Sequence, residues 1–492
     1  MDSVVIVNNI KDFDLNIDDV EVVSAKTYLT ETAYAEKKHV RIYNLCKSYR
    51  YQSIGYYVSL LAEARGQRVF PNITTIQDIK SQSIMRVISD EIDHLIQKSF
   101  RHIRSRQFNL SIYFGKNLAK QYDQLSKNLY NLFQAPLLRA TFTYNKKWLL
   151  QNINPIPIKE IPDSHKPYVI EFAKEYFSKK RIRSIKKSSY IYDLAILVNP
   201  EEESPPSDNK ALKKFIDAAG DIGFSVELIN KDDFSRLSEF DALFIRETTS
   251  VNHHTYRFAR RAHAEGLVVI DDPLSIVKCS NKVYLAEILH KAHIPMPETF
   301  VIHKYNKNDV LKGIKLPCVL KQPDSSFSRG VIKVTDENEL QKQVDHLLEN
   351  SDLIIAQSFT PTSFDWRIGV IDKKPLFACK YYMAKNHWQI YDWSANNNQN
   401  AGGYEVCKID DVPEKILKTA IKGANLIGDG FYGVDLKEID HQPLVIEIND
   451  NPSVDCGVED KILKDELYLT IMKSFMNRIQ QLKNNKQADE HT

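Results

Sequence analysis

Three observations predict an α/β chain. Strand-length apolar runs alternate with amphipathic helical segments along most of its 492 residues. That length supports two or three domains, each with its own core. The composition is that of a soluble globular protein, 43% hydrophobic and 26% charged.

The first block, residues 1–185, opens with a short apolar strand at 4–7, followed by strand candidates at 20–23 and 39–45. VRIYNL, a polar turn and the helical run IGYYVSLLAEA (54–64) make a strand–loop–helix unit. Residues 76–100 and 119–133 also carry helical periodicity. The basic run from Lys179 to Lys187 is read as a solvated linker rather than an anion-binding patch, since charge runs usually face water.

The second block, 188–277, predicts a small and mainly parallel sheet. Strands at 192–198, 225–229, 242–245 and 267–270 alternate with helices at 210–220 and 256–265. The third block, 278–480, alternates strands and helices with more loop. It is followed by a polar tail, 481–492, expected to be disordered.

Bulk chemistry excludes several functions. Lys and Arg number 66 against 64 for Asp and Glu, so no global field points to nucleic acid. The six cysteines are scattered, with neither CxxC nor Cys/His spacing, which argues against a disulfide framework or a zinc site. The N-terminus lacks the basic and apolar regions of a signal peptide, and no apolar run approaches the roughly 20 residues of a membrane span. A cytoplasmic location is the expectation, with a homo-oligomer left open.

The informative stretch is GVDLKEIDHQPLVIEINDNPS (433–453). Asp435 ends one strand, and a second strand delivers Glu447 and Asn449. Strict alternation would place Val445, Glu447 and Asn449 on one face and Leu444, Ile446 and Ile448 on the other. Acids and an amide on an apolar strand need a partner when desolvated, and hard oxygen ligands suit Mg²⁺, with Mn²⁺ as an alternative. Taken alone, E-x-N at a strand end is usually just an exposed strand terminus.

Upstream, Lys282 opens a helix and Lys321 lies inside the strand LPCVLKQP, on the same face as Val319. The small polar loop DSSFSRG follows, carrying Ser325, Ser326 and Gly330. Such a hairpin beside a lysine can cover phosphates with its N–H groups, or be an ordinary surface turn; it is not a Walker A loop. IIAQSF (354–359), then Asp365 and Arg367 sharing a strand face, then the strand lysine Lys380 complete the series.

In this order the motifs resemble the ATP-grasp superfamily, and within it the RimK family, over about 188–460. GVDL followed by PLVIEINDNPS is the most specific piece. YRYQSIGYYVSLLAEARGQRV (49–69) and FNLSIYFG (108–115) resemble the RimK-like ATP-grasp N-terminal domain. The resemblance implies an ATP-grasp fold preceded by a small parallel-sheet domain and an N-terminal α/β domain. It implies that Lys282 and Lys321 contact ATP phosphates, that the backbone of Gln357, Ser358 and Phe359 reads adenine, and that Asp365 lies near the ribose. Asp435, Glu447 and Asn449 would hold Mg²⁺, while Arg367 and Lys380 meet phosphate or acyl-phosphate charge. The implied reaction joins a carboxylate donor to an amine acceptor, an amino acid, peptide or protein, through an acylphosphate. A kinase acting on a hydroxyl and a non-catalytic ATP-binding scaffold remain alternatives. The chain departs from the family at 384–403, where Trp388, the asparagine-rich NNNQN and Gly402-Gly403 stand without the arginines that would pair with an acidic substrate.

Overall fold

The computed structural model describes residues 2–13, 20–37, 40–181, 190–324, 330–384, 387–390 and 402–489. The chain forms two compact units, Met1–Ser188 with Phe234–Glu239, and Ser189–Asp233 with Phe240–Thr492.

The first unit holds a parallel sheet of β1 (Asp2–Val7), β2 (Glu21–Ser24), β3 (Val40–Asn44) and β4 (Arg68–Phe70), in the order β2-β1-β3-β4. The helix Ile54–Ala64 covers it, capped by the Ser53 hydroxyl, which accepts from Tyr56 N–H. A second sheet is antiparallel: β5 (Gln107–Tyr113), β6 (Leu137–Asn145) and β7 (Lys147–Pro155). Sequence reasoning did not predict this meander, because Lys146 at φ 61° makes the β6–β7 turn without a Gly or Pro to mark it. The helical region at 76–100 is three helices, Ile73–Lys80, Gln82–Glu91 and Asp93–Phe100, and the basic Lys179 to Arg181 continue the helix Lys166–Arg181. The rest of the expected linker, 182–187, lies outside the described residues.

In the second unit β8 (Tyr192–Leu197), β9 (Phe224–Ile229), β10 (Ala242–Ile245) and β11 (Val268–Ile270) form a wholly parallel sheet, ordered β11-β10-β8-β9. Two antiparallel sheets follow. One is β12 (Thr299–His303), β13 (Cys318–Lys321), β14 (Val331–Val334) and β15 (Leu353–Ser358), ordered β12-β15-β13-β14. The other is β16 (Phe364–Ile371), β17 (Lys374–Tyr382), β18 (Tyr404–Cys407), β19 (Phe431–Ile439) and β20 (Gln442–Asn449), ordered β18-β17-β16-β19-β20.

The helix Asp465–Asp489 runs through most of the stretch expected to be a disordered tail. Lys, Gln and Ala are good helix formers, so the polar end continues the helix that the apolar part anchors. Its Leu467, Tyr468, Ile471, Met472 and Phe475 are fully buried in one cluster with Phe215 and Phe244 of the parallel-sheet region. Among the described residues no helix is long and apolar enough to cross a membrane.

Candidate active site

β19 and β20 are neighbours in register, with Asp435 opposite Glu447 and Gly433 opposite Asn449. Asp435, Glu447 and Asn449 therefore converge, and all three line one cleft. The register shifts between Asp435 and Leu436, because Leu436 pairs with Val445 and leaves Ile446 as the extra residue of a bulge. This corrects the expected alternation. Val445 and Ile448 go into the core, while Ile446 joins Glu447 and Asn449 on the cleft.

Cations stand on each acid. Lys282 Nζ lies 2.8 Å from Glu447 Oε1. Arg367 grips Asp435 with both arms, Nε to Oδ1 at 2.7 Å and Nη2 to Oδ2 at 2.8 Å, and Asn449 Nδ2 donates to the same Oδ2 at 3.3 Å. Burial raises the Asp435 carboxyl above its ordinary value even against the Arg367 charge. At Glu447 burial also pushes upward, but Lys282, Lys321 and Arg367 outweigh it and the net shift is down.

Lys321 projects from β13 into the cleft and donates to Gln357 Oε1 at 2.7 Å. Burial, with Lys282 and Lys437 nearby, lowers its ammonium to about 8 from 10.5. Gln357 is fixed in turn by donating to Thr299 Oγ1. The N–H groups of Ser358 and Phe359 are engaged by the carbonyls of Glu298 and Pro317. The hinge thus offers a base its carbonyl groups and the Phe359 ring, rather than those two N–H groups.

Asp365 accepts from Lys437 Nζ at 2.6 Å and from Thr362 Oγ1 at 2.9 Å. Sequence reasoning missed Lys437, although its place two residues after Asp435 on the same strand was the available signal. Gly330, at φ 71°, closes the β13–β14 hairpin, and its carbonyl accepts from Gln322 N–H. Ser325 and Ser326 lie outside the described residues.

Lys380 does not reach the cleft. It pairs with Trp366, not with Arg367, so it shares the Trp366 face and lies 5.1 Å from that ring and 3.6 Å from Glu405. The one-residue offset from Cys379, the actual partner of Arg367, puts it on the wrong side of the sheet for acyl-phosphate chemistry.

The donor set fits a divalent cation: two carboxylates and an amide oxygen on facing strands, with lysines for phosphate around them. Further walls of the cleft come from residues the sequence did not single out, including Thr248, Thr249, Asp450 and Asn451.

Residues 25–172 match the model of the RimK-like ATP-grasp N-terminal domain, and 279–470 match that of the RimK-like ATP-grasp domain. These matches define an ATP-grasp protein. The chain belongs to the RimK-like ATP-grasp family. The α-aminoadipate–LysW ligase LysX of Saccharolobus solfataricus is 28% identical over 49% of this chain and 88% of its own. A probable α-L-glutamate ligase of Cellvibrio japonicus is 24% identical over 47% of this chain and 74% of its own. The crystal structure of a RimK-domain ATP-grasp protein from Sphaerobacter thermophilus superposes with a TM-score of 0.44 at 17% identity, covering 57% of this chain and 98% of that one.

Proposed function

We propose that the protein is an ATP-dependent ligase that joins a carboxylate to an amine, releasing ADP and phosphate. The observation that carries this is the convergence of Asp435, Glu447 and Asn449 with Lys282, Lys321, Arg367 and Lys437 in one cleft. The ligase relatives support it.

In this reading a carboxylate oxygen of the donor attacks the γ-phosphorus and ADP leaves, giving an acylphosphate. A neutral amine then attacks the acyl carbon, the C–O bond to phosphate breaks, and the nitrogen loses a proton. Lys282 and Lys321 hold phosphate oxygens, and Arg367, released from Asp435, offsets charge on the transferred group. Asp435, Glu447 and Asn449 would hold Mg²⁺ or Mn²⁺, which when bound neutralises phosphate charge. The cleft side chains position the reactants, and no side-chain nucleophile is needed. Adenine lies against Val319, Val331 and Phe359. We read 1–185, 188–277 and 278–480 as three domains, with the last two supplying the cleft, and place the protein in the cytoplasm.

The test is ADP and phosphate release from Mg-ATP across an amino-acid and peptide panel, with intact-mass readout. Equal ADP and phosphate with a product one water lighter than its precursors is expected. ADP with a phosphate-sized gain on the acceptor would replace the ligase with a kinase.

A further inference from the structure

In the reaction above Arg367 meets the transferred phosphoryl group, and an aromatic ring stands beside it. The Arg367 guanidinium carbon lies 5.2 Å from the centre of the Tyr381 ring, within cation–π range. Strand pairing brings the two together. Cys379 is opposite Arg367 and Tyr381 is opposite Asp365, so Tyr381 is the diagonal neighbour of Arg367 on the same face. Long and aromatic side chains span that diagonal. Arg367 lines the cleft with 20% of its side chain exposed, whereas Tyr381 stays off the cleft wall.

The ring is held from its far end. Tyr381 Oη donates to Glu459 Oε1, and Glu459 Oε2 accepts from Asp455 N–H at 2.8 Å. Glu459 is only 1% exposed. Asp455 Oδ1 accepts in turn from the N–H of Asp208, the residue that caps the helix Asn209–Asp221. The place of the ring is therefore set by the segment after β20 and by that helix start, and not by Asp435.

Arg367 directs Nε and Nη2 to Asp435. Those carboxylate oxygens are also the ones that would hold a divalent cation, so the guanidinium has to release them when the metal site is filled. A released arginine regains the rotamer freedom of a long side chain, and ordering it again on phosphate costs entropy. An aromatic ring attracts the guanidinium without taking up its N–H donors, which stay available to phosphoryl oxygens. We infer that Tyr381 is a positioning residue for phosphoryl transfer. Its ring keeps Arg367 at the cleft once Asp435 is given over to the metal, with the guanidinium donors directed at the γ-phosphoryl oxygens. This rests on the ligase reading and adds to it the residue that holds the phosphoryl-binding cation.

The test is titration calorimetry of the full chain with Mg²⁺ and either ADP or a non-hydrolysable ATP analogue. The ratio of the two affinities reports contact with the γ-phosphoryl group. The wild-type protein is expected to prefer the analogue by at least about ten-fold. Tyr381→Leu should cut that preference about five-fold, with ADP affinity within about two-fold of wild type, and Arg367→Met should cut it at least as far. Tyr381→Phe keeps the ring and should keep most of the preference. A merely structural role would weaken both nucleotides together and leave the ratio in place. Tyr381→Met, an unbranched chain that fills much of the same space, decides the matter should Tyr381→Leu fail to fold. An unchanged ratio in the Leu or Met variant would overturn the inference. So would equal losses in the Phe and Leu variants, or a wild-type protein with no preference for the analogue. The product is read separately. A phosphorylated acceptor, with the ratio lost in Tyr381→Leu and kept in Tyr381→Phe, would overturn the ligase reading and leave Tyr381 in its role. An amide product with the ratio unchanged in every Tyr381 variant would do the reverse.

Discussion

Lys282 Nζ stands 2.8 Å from Glu447 Oε1, so the helix-opening lysine and a metal-type acid neutralise each other before any ligand arrives. A cation entering between Asp435 and Glu447 must displace Lys282 and Arg367, and phosphate oxygens are the natural new partners for both. Metal and nucleotide are therefore expected to bind with positive coupling. Calorimetry should show Mg²⁺ alone binding at least about ten-fold more weakly than in the presence of an ATP analogue, and Lys282→Met should shrink that difference.

Glu447→Gln keeps a hydrogen-bond acceptor for Lys282 but removes the charge. Turnover is expected to fall at least about a hundred-fold, beyond what is typical of groups that only orient a metal ligand. The melting temperature should move by only a few degrees, about what 1 kcal/mol produces. Normal ADP production by this variant would remove Glu447 from the site.

Lys321 gives a pH signature. Its folded value of about 8 lies below the ordinary 10.5, so between these the unfolded chain holds a proton that the folded chain has released. Stability from this group therefore rises with pH across that window, and the cost of the buried charge is fully present below about 8. ATP affinity runs the other way, because phosphate requires the charged form. Nucleotide binding is expected to weaken toward ten-fold per pH unit above about 8, and Lys321→Arg should flatten the profile.

Gly433 faces the loop after β20. A Cβ there would lie 2.9 Å from Pro452 Cβ and 3.8 Å from Arg367 Cδ. The proline ring cannot swing away as a flexible chain would, so Gly433→Ala is expected to cost about 1–3 kcal/mol by overpacking. It should also impair turnover by shifting Pro452, which Arg246 holds through its carbonyl. Denaturant melts and ADP release check both effects.

Lys380→Ala is expected to retain turnover within about two-fold and to lose only the small stabilisation of its Trp366 and Glu405 contacts. A severe loss of turnover would return Lys380 to the reaction.

The cleft was legible where side chains repeat every second residue along one strand. Asp365 with Arg367 and Val319 with Lys321 share faces as their spacing implies. Alternation failed at Ile446 because a bulge is set by pairing across strands, which a single strand's pattern does not contain. Lys380 was misplaced for the same reason, its face depending on which residue of β16 it meets. Asp450 and Thr249 stayed hidden because they come from separate loops that only the fold brings to one wall. The β8–β11 sheet was readable from its apolar runs and amphipathic helices, whereas the β5–β7 meander lacked a Gly or Pro turn signal at Lys146.

The helix Asp465–Asp489 closes the face of a sheet whose strands appear far earlier in the chain. During synthesis β8 to β11 leave the ribosome long before Tyr468 and Phe475 can reach Phe215 and Phe244. The nascent sheet must wait with an uncovered apolar face. A transcript cut short before residue 465 would yield a product that keeps every cleft residue named above and still seeks a chaperone.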